Sequence, residues 1–219
     1  MVNSMKLSYK CILDTSREKI SIAIKDIHLV IYSSVYPPLE DSWQTLYAAL
    51  DHTPHGNIIL LDIGCGTGLI GVYTSMNKAL QYLVQSDLSS CALSNAKENI
   101  KVNRLDYLAD LVQADRVSFL RNKSRRNTVL VYNAPYLNCT PSDEYDLQYC
   151  GGCTHITEFI NKIINLDYIR LVVVTFSTES GCSIVELLKP LIHKLKKLEI
   201  YLHHKFFETI ITLAISLRT

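Results

Sequence analysis

The sequence predicts an α/β fold built on a doubly wound, mostly parallel sheet, and three observations carry that prediction. Strand-like apolar runs alternate with helix-length segments over most of the 219 residues, the order required by a parallel sheet with covering helices. The run Asn57-Ile58-Ile59-Leu60 leads into Leu61-Asp62-Ile63-Gly64-Cys65-Gly66-Thr67-Gly68, a strand followed by a glycine turn and then a helix. Later strand ends carry Asp87, Asp115 and Asn133 in order, so acids and an amide collect where ligands meet such sheets.

Residues 20–24 and 28–32 read as strands within an N-terminal extension, 1–34, whose structure the sequence leaves open. Residues 42–50 read as the first helix. The glycine turn brings bare backbone near a ligand, but Leu69 stands where the dinucleotide fingerprint needs glycine. The spacing is therefore G-x-G-x-G with Asp62 two residues before the first glycine, which argues against nicotinamide. The next strand ends at Asp87, about 20 residues on, where an acid takes ribose hydroxyls. Ser89 or Ser90 caps a helix running to about residue 102. The run 108–114 ends at Asp115, placed to accept from an adenine amino group. After the strand 128–132, residues 154–165 predict a helix, and 168–175 is a strongly β-branched strand. Residues 182–197 predict a last helix, and 198–203 and 208–216 two further strands. The length suits one core and is short for two, so 1–219 reads as a single domain.

The segment Asn133-Ala134-Pro135-Tyr136 directly follows strand 128–132. An Asn side-chain carbonyl and the next backbone carbonyl can accept both hydrogens of one planar NH₂ group. Tyr136 offers a ring face for the same planar group, and Pro135 stiffens the backbone. Such a grip suits amides and amino-purines and holds a methyl acceptor in line. With the ordered acids and glycines, the nucleoside-bearing cofactor most consistent with the pattern is S-adenosyl-L-methionine.

On these residues the chain resembles the class I methyltransferases that act on NH₂ groups. The segment Val35-Tyr36-Pro37-Pro38-Leu39-Glu40-Asp41-Ser42 further resembles the signature of HemK-type glutamine methyltransferases, in the eukaryotic and archaeal release-factor branch. Cys150-Gly151-Gly152-Cys153 sits where that family carries a Gly-Gly pair, and the resemblance spans about residues 35–215. It implies a Rossmann-like, seven-stranded, mostly parallel sheet ending in an antiparallel hairpin. It implies cofactor contacts from Asp62, Gly64, Gly66, Gly68, Asp87, Asp115, Asn133, Tyr36, Glu40 and Asp41, and a catalytic segment Asn133, Ala134, Pro135, Tyr136. The implied substrate is the glutamine of a Gly-Gly-Gln loop in a class 1 translation release factor, and the implied partner is a small zinc-binding activator. One departure stands out: the family's first proline is Ala134 here, which keeps the backbone carbonyl and loses stiffness. It also moves the segment towards the form used by RNA and DNA adenine N6-methyltransferases, the alternative reading.

Charge favours a protein substrate, since 22 basic residues face 21 acidic ones for a net +1, without the basic excess expected of a duplex binder. Nucleic acid is thus not expected as the primary substrate. Two basic clusters, Lys123 with Arg121, Arg125 and Arg126, and Lys189 with Lys194, Lys196 and Lys197, read as a solvated loop and an exposed helix face. The apolar runs 80–84 and 108–112 offer an edge for the activator to cover. No apolar run suits a signal peptide or a membrane span, so a cytoplasmic protein is expected. The seven cysteines are then expected as thiols. The uneven spacing of Cys139, Cys150, Cys153 and His155 predicts no metal.

Overall fold

A computed structural model describes residues 19–24, 27–122 and 127–218. Residues 1–18 of the N-terminal extension and Lys123, Arg125 and Arg126 lie outside the described residues. In chain order the elements are strands β1 (Lys19–Ile24) and β2 (Ile27–Tyr32), helix α1 (Glu40–His52), β3 (Ile59–Ile63), α2 (Leu69–Lys78), β4 (Tyr82–Asp87), α3 (Ser90–Val102), β5 (Ala109–Gln113), β6 (Thr128–Asn133), α4 (Gly152–Ile163), β7 (Ile169–Ser177), α5 (Ile184–Leu188), β8 (Leu195–His204) and β9 (Thr209–Leu217). Seven strands form one sheet in the order β5-β4-β3-β6-β7-β9-β8. The first five are parallel, whereas β9 runs antiparallel to β7 and pairs with β8 as the terminal hairpin. This is the Rossmann-like sheet the sequence implied.

Strand β6 shows why the central strands read as unbroken apolar runs. Val129 and Val131 face a core with Leu46 and Ala49 of α1, while Leu130 and Tyr132 face a second core with Ile156 and Phe159 of α4. Covered on both faces, a parallel strand has no polar side to show. Three buried hydroxyls cross from α1 into the sheet: Thr45 Oγ1 lies 2.6 Å from Thr175 Oγ1, which lies 2.7 Å from Thr212 Oγ1. They seat α1 against β7 and β9 at the end of the sheet where β6 finishes.

The hairpin β1–β2 stands outside the main sheet and docks on α3 through asparagines one helical turn apart. Val30 N–H donates to Asn99 Oδ1 at 2.7 Å, and Asn99 Nδ2 donates back to Val30 O at 2.8 Å. Asn103 makes the same reciprocal pair with His28, at 3.0 and 2.7 Å. Asn95 accepts from Tyr32 N–H at 2.9 Å and donates to Val30 O at 2.7 Å. Side-chain amides thus complete the open edge of β2 as a neighbouring strand would. The described part of the N-terminal extension is integral to the fold.

The structure departs from the sequence expectation at two places. The helix expected over 182–197 is only α5, followed by a tight turn over Lys189–Leu191 and then β8 from Leu195. Pro190 in that turn has no N–H to continue the helix. Lys189, Lys194, Lys196 and Lys197 are consequently not one helix face; Lys194 is anchored to Ile164 O at 2.8 Å and to Asp167 at 2.6 Å. The second correction concerns the edge: β4, with Leu83 fully buried, lies inside the sheet, and β5 alone of the two runs forms its border.

Replacing fully buried Asn99 by alanine strands Val30 N–H and Thr67 O, which accepts from Asn99 Nδ2 at 2.8 Å. A loss of about 3 kcal/mol is expected, against less than about 1 kcal/mol for the partly exposed Asn103→Ala. Urea unfolding of the two variants checks this difference.

Candidate active site

The glycine turn lies between β3 and α2, with Gly64 and Gly66 at φ of 61° and 53°. Left-handed backbone of this kind is open to glycine at little cost. A Cβ on Gly64 would also come within 3.3 Å of the Tyr132 ring. Asp87 at the end of β4 ties the turn down: its Oδ2 accepts from Gly66 N–H at 2.9 Å and its Oδ1 from Ser89 N–H at 2.8 Å. Burial raises its carboxyl above the usual range, against those bonds.

An open cleft of about 1090 Å³ lies over these strand ends. Its walls include Tyr36, Gly64, Gly66, Asp87, Asp115 and Asn133, six of the residues expected to hold cofactor. Asp62, Gly68, Glu40 and Asp41 do not line it. Asp62 is turned under α2, where its Oδ2 accepts from Gly71 N–H and from Gln85 Nε2, both at 2.9 Å. It braces the turn from behind, and burial pushes its carboxyl up to about 7. Gly68 is the left-handed residue that opens α2. Glu40 reaches outward to Lys205 at 3.2 Å.

Asp41 meets the segment Asn133–Tyr136. Asn133 Nδ2 lies 3.2 Å from Asp41 Oδ2 and 3.3 Å from Ser42 Oγ, and Tyr136 O–H donates to the same Asp41 oxygen at 3.4 Å. Asn133 Oδ1 is buried with no partner among the described residues. A buried carbonyl oxygen is costly to leave unpaired. Ala134 is fixed beside it by its N–H bond to Thr175 O at 3.1 Å. Burial first, then Asp41, raises the Tyr36 and Tyr136 hydroxyls well above the tyrosine range and keeps them protonated.

The loop after Tyr136 folds back as the other wall. Leu137 bridges Cys150, and Gly151 packs so closely that a Cβ would meet Pro135 O at 2.1 Å. Gln148 of this loop accepts from Tyr36 N–H at 2.7 Å and so joins the two walls. Cys139 is bonded to Cys150 and Cys153 to Cys182. This corrects the expectation of thiols, because the fold of the loop brings residues 11 and 29 positions apart into bonding distance. Buried Cys65 keeps a free thiol.

Several cleft residues were not singled out from the sequence. Arg116 pairs with Asp115 at 3.0 Å and with Glu158 at 2.8 Å, next to His155. Burial, and then the Arg116 charge, lowers the His155 pKa, which leaves a neutral ring. Arg116 carries no sequence signal, and His155 stood out only beside the cysteines; contact across about forty positions is not readable locally. Gln85 did carry one, being a polar residue inside the apolar run of β4. At the outer rim, Glu40 and Glu208 act on the Tyr36 hydroxyl, and Glu144 lines the cleft. Lys205 lies among them, already paired with Glu40 and Glu208.

The sheet order and this cleft define the class I methyltransferase fold. Residues 39–144 match the methyltransferase small domain family, and the cofactor is S-adenosyl-L-methionine. Bare backbone at Gly64 and Gly66 and the Asp87 carboxyl facing the cleft suit a nucleoside-bearing group. Over 101 residues, 44% of this chain, the sequence is 26% identical to 40% of the tRNA1(Val) (adenine(37)-N6)-methyltransferase of Dickeya chrysanthemi (strain Ech1591). Over 136 residues, 62% of this chain, it is 25% identical to 47% of the release factor glutamine methyltransferase of Streptococcus pneumoniae (strain ATCC BAA-255 / R6). The chain thus spans less than half the length of either curated relative. Among solved structures, the E. cuniculi Mtq2–Trm112 complex responsible for methylation of the eRF1 translation termination factor matches with a TM-score of 0.57 and 18% identity, over 84% of this chain and 98% of that one.

Asp62 gives the site a pH signature. Its folded pKa of about 7 exceeds the unfolded value of about 3.9, so the folded state holds the extra proton between them. That contribution to stability is full below about pH 4 and is lost as pH rises through about 7. Asp62→Asn should therefore lose less stability than the parent across this window, measured by urea unfolding at a series of pH values.

Proposed function

We propose that this protein is a cytoplasmic protein methyltransferase that modifies the side-chain amide nitrogen of glutamine, in the Gly-Gly-Gln loop of a class 1 translation release factor. The observation that carries an NH₂ acceptor is the unpartnered Asn133 Oδ1, buried beside Ala134 at the edge of the cleft. The observation that favours a polypeptide is the net charge of +1, without the basic excess expected of a nucleic-acid binder. The resemblance of residues 35–42 to the release-factor branch supports the same choice.

Bound S-adenosylmethionine supplies a methyl carbon made electrophilic by its sulfonium sulfur. Asn133 Oδ1 and the Ala134 carbonyl accept the two N–H bonds of the acceptor and aim its lone pair. An amide nitrogen is a poor nucleophile because its lone pair is delocalised, so this aim is the main task of the chain. Tyr36, Pro135 and Tyr136 shield the acceptor from water, and the methylated nitrogen then sheds its proton to solvent. No base is needed beforehand.

A small zinc-binding activator as partner is supported by the likeness to the Mtq2–Trm112 complex and by the open border strand β5. A second reading, adenine N6 methylation of tRNA, is favoured by the match to the Dickeya chrysanthemi enzyme and by Ala134 in the catalytic segment.

Labelled methyl transfer decides between them, with the chain co-expressed with a zinc-binding activator. The acceptors are a release factor, the same factor with its Gly-Gly-Gln glutamine changed to alanine, and total RNA. Label on the intact factor alone is expected; label on RNA alone would put the adenine reading first. Asn133→Ala should lower turnover about 100-fold or more while leaving cofactor affinity within a few-fold of the parent.

A further inference from the structure

We infer that Asp41 is a positioning residue that selects which end of the Asn133 side chain faces the acceptor, an inference that rests on the NH₂-acceptor reading above. The two ends of an asparagine amide have nearly the same shape, so packing alone does not choose between them. Their chemistry is opposite, because a flipped Asn133 would present NH₂ to the incoming NH₂ and repel it.

The choice is made by polar contacts on the far side of Asn133. An ionised carboxylate only accepts, so Asp41 Oδ2 at 3.2 Å is compatible with Nδ2 and incompatible with Oδ1. Ser42 is neutral in this choice by itself, since a hydroxyl can donate or accept. Here its Oγ donates to Asp41 Oδ1 at 3.4 Å, which turns its lone pairs to Asn133 Nδ2. Asp41 therefore sets the Ser42 hydroxyl as well.

Asp41 is held firmly enough to act this way. It is 4% exposed, and its Oδ1 accepts from Ser42 N–H at 2.8 Å. Its backbone carbonyl accepts from Thr45 Oγ1 at 2.7 Å, the first hydroxyl of the chain that continues to Thr175 and Thr212. Thr175 is the register partner of Asn133 on β7. Selector and selected side chain are thus fixed to the same pair of strands. Tyr136 donates to the same oxygen as Asn133, so the first and last residues of the catalytic segment are set by one atom.

The test is a reciprocal exchange. Asp41→Asn removes the instruction, and Asn133→Asp sets two carboxylates against each other; each is expected to lower turnover about 10- to 100-fold with cofactor affinity retained. The double variant Asp41→Asn/Asn133→Asp restores one donor facing one acceptor and leaves an oxygen towards the substrate. Its turnover should exceed that of both single variants and come within about 10-fold of the parent. A residue that merely fills space would not be rescued by its partner's change. An activity-free arm follows the side-chain NH₂ resonances of Asn133 by NMR, identified by their loss in Asn133→Asp. Slow solvent exchange in the parent and fast exchange in Asp41→Asn are expected. An active parent whose double variant is no better than the worse single would overturn the inference. So would an Asn133 amide indifferent to Asp41→Asn, whether or not the parent methylates any NH₂ group; a parent inactive on all acceptors sinks the functional reading alone.

Discussion

Parallel register holds Ile63 of β3 level with Ser86 of β4 on one side and with Tyr132 of β6 on the other. The next residue along each strand reaches one rim of the sheet, and these residues are Gly64, Asp87 and Asn133. A slip of one residue in any of the three strands would turn its last side chains to the opposite face. The glycine turn, the acid and the amide would no longer share a cleft. The two apolar cores flanking β6 therefore do more than stabilise, since they are what forbids the slip.

Behind that rim the polar groups fall into two sets. Asp62, Gln85 and Gly71 form a brace behind the cleft wall, and Asp87 works from both sides, tying Gly66 while facing the cleft. The second set surrounds Asn133 and is held by α1. Its carboxylate keeps its neighbours in their hydrogen-donating forms, as the protonated tyrosines show. Burying acids beside phenols costs folding free energy, and the molecule accepts that cost at the mouth of its cleft.

Much of this was legible in the sequence, for reasons that can be named. The strands, the glycine turn and the ordered Asp87, Asp115 and Asn133 are local patterns with fixed spacing, and the structure assembles them at one edge. The helix expected over 182–197 stops short because Pro190 cannot continue it and because residues 195–197 already belong to β8. The orientation of Asp62 was not legible from its position two residues before a glycine, because its carboxyl is held by Gly71 N–H and by Gln85 on another strand. Cysteine pairing was unreadable for a similar reason, since it depends on how the loop after Tyr136 folds back on α4.

The asparagine ladder between α3 and β2 joins two different periods. Four residues of helix rise about 6.0 Å, whereas two residues of strand advance about 6.6 Å. Each further rung would add about 0.6 Å of mismatch, so a helix can impersonate a strand only briefly before its side chains lag behind the carbonyls they serve. Asn95, Asn99 and Asn103 span that short stretch, and Asn95 already reaches Tyr32 N–H and Val30 O rather than one residue's pair. The hairpin is thereby given a ruler: β2 can be gripped over about five residues and no more, after which the chain is free to turn towards Val35 and Tyr36 and enter the wall of the cleft.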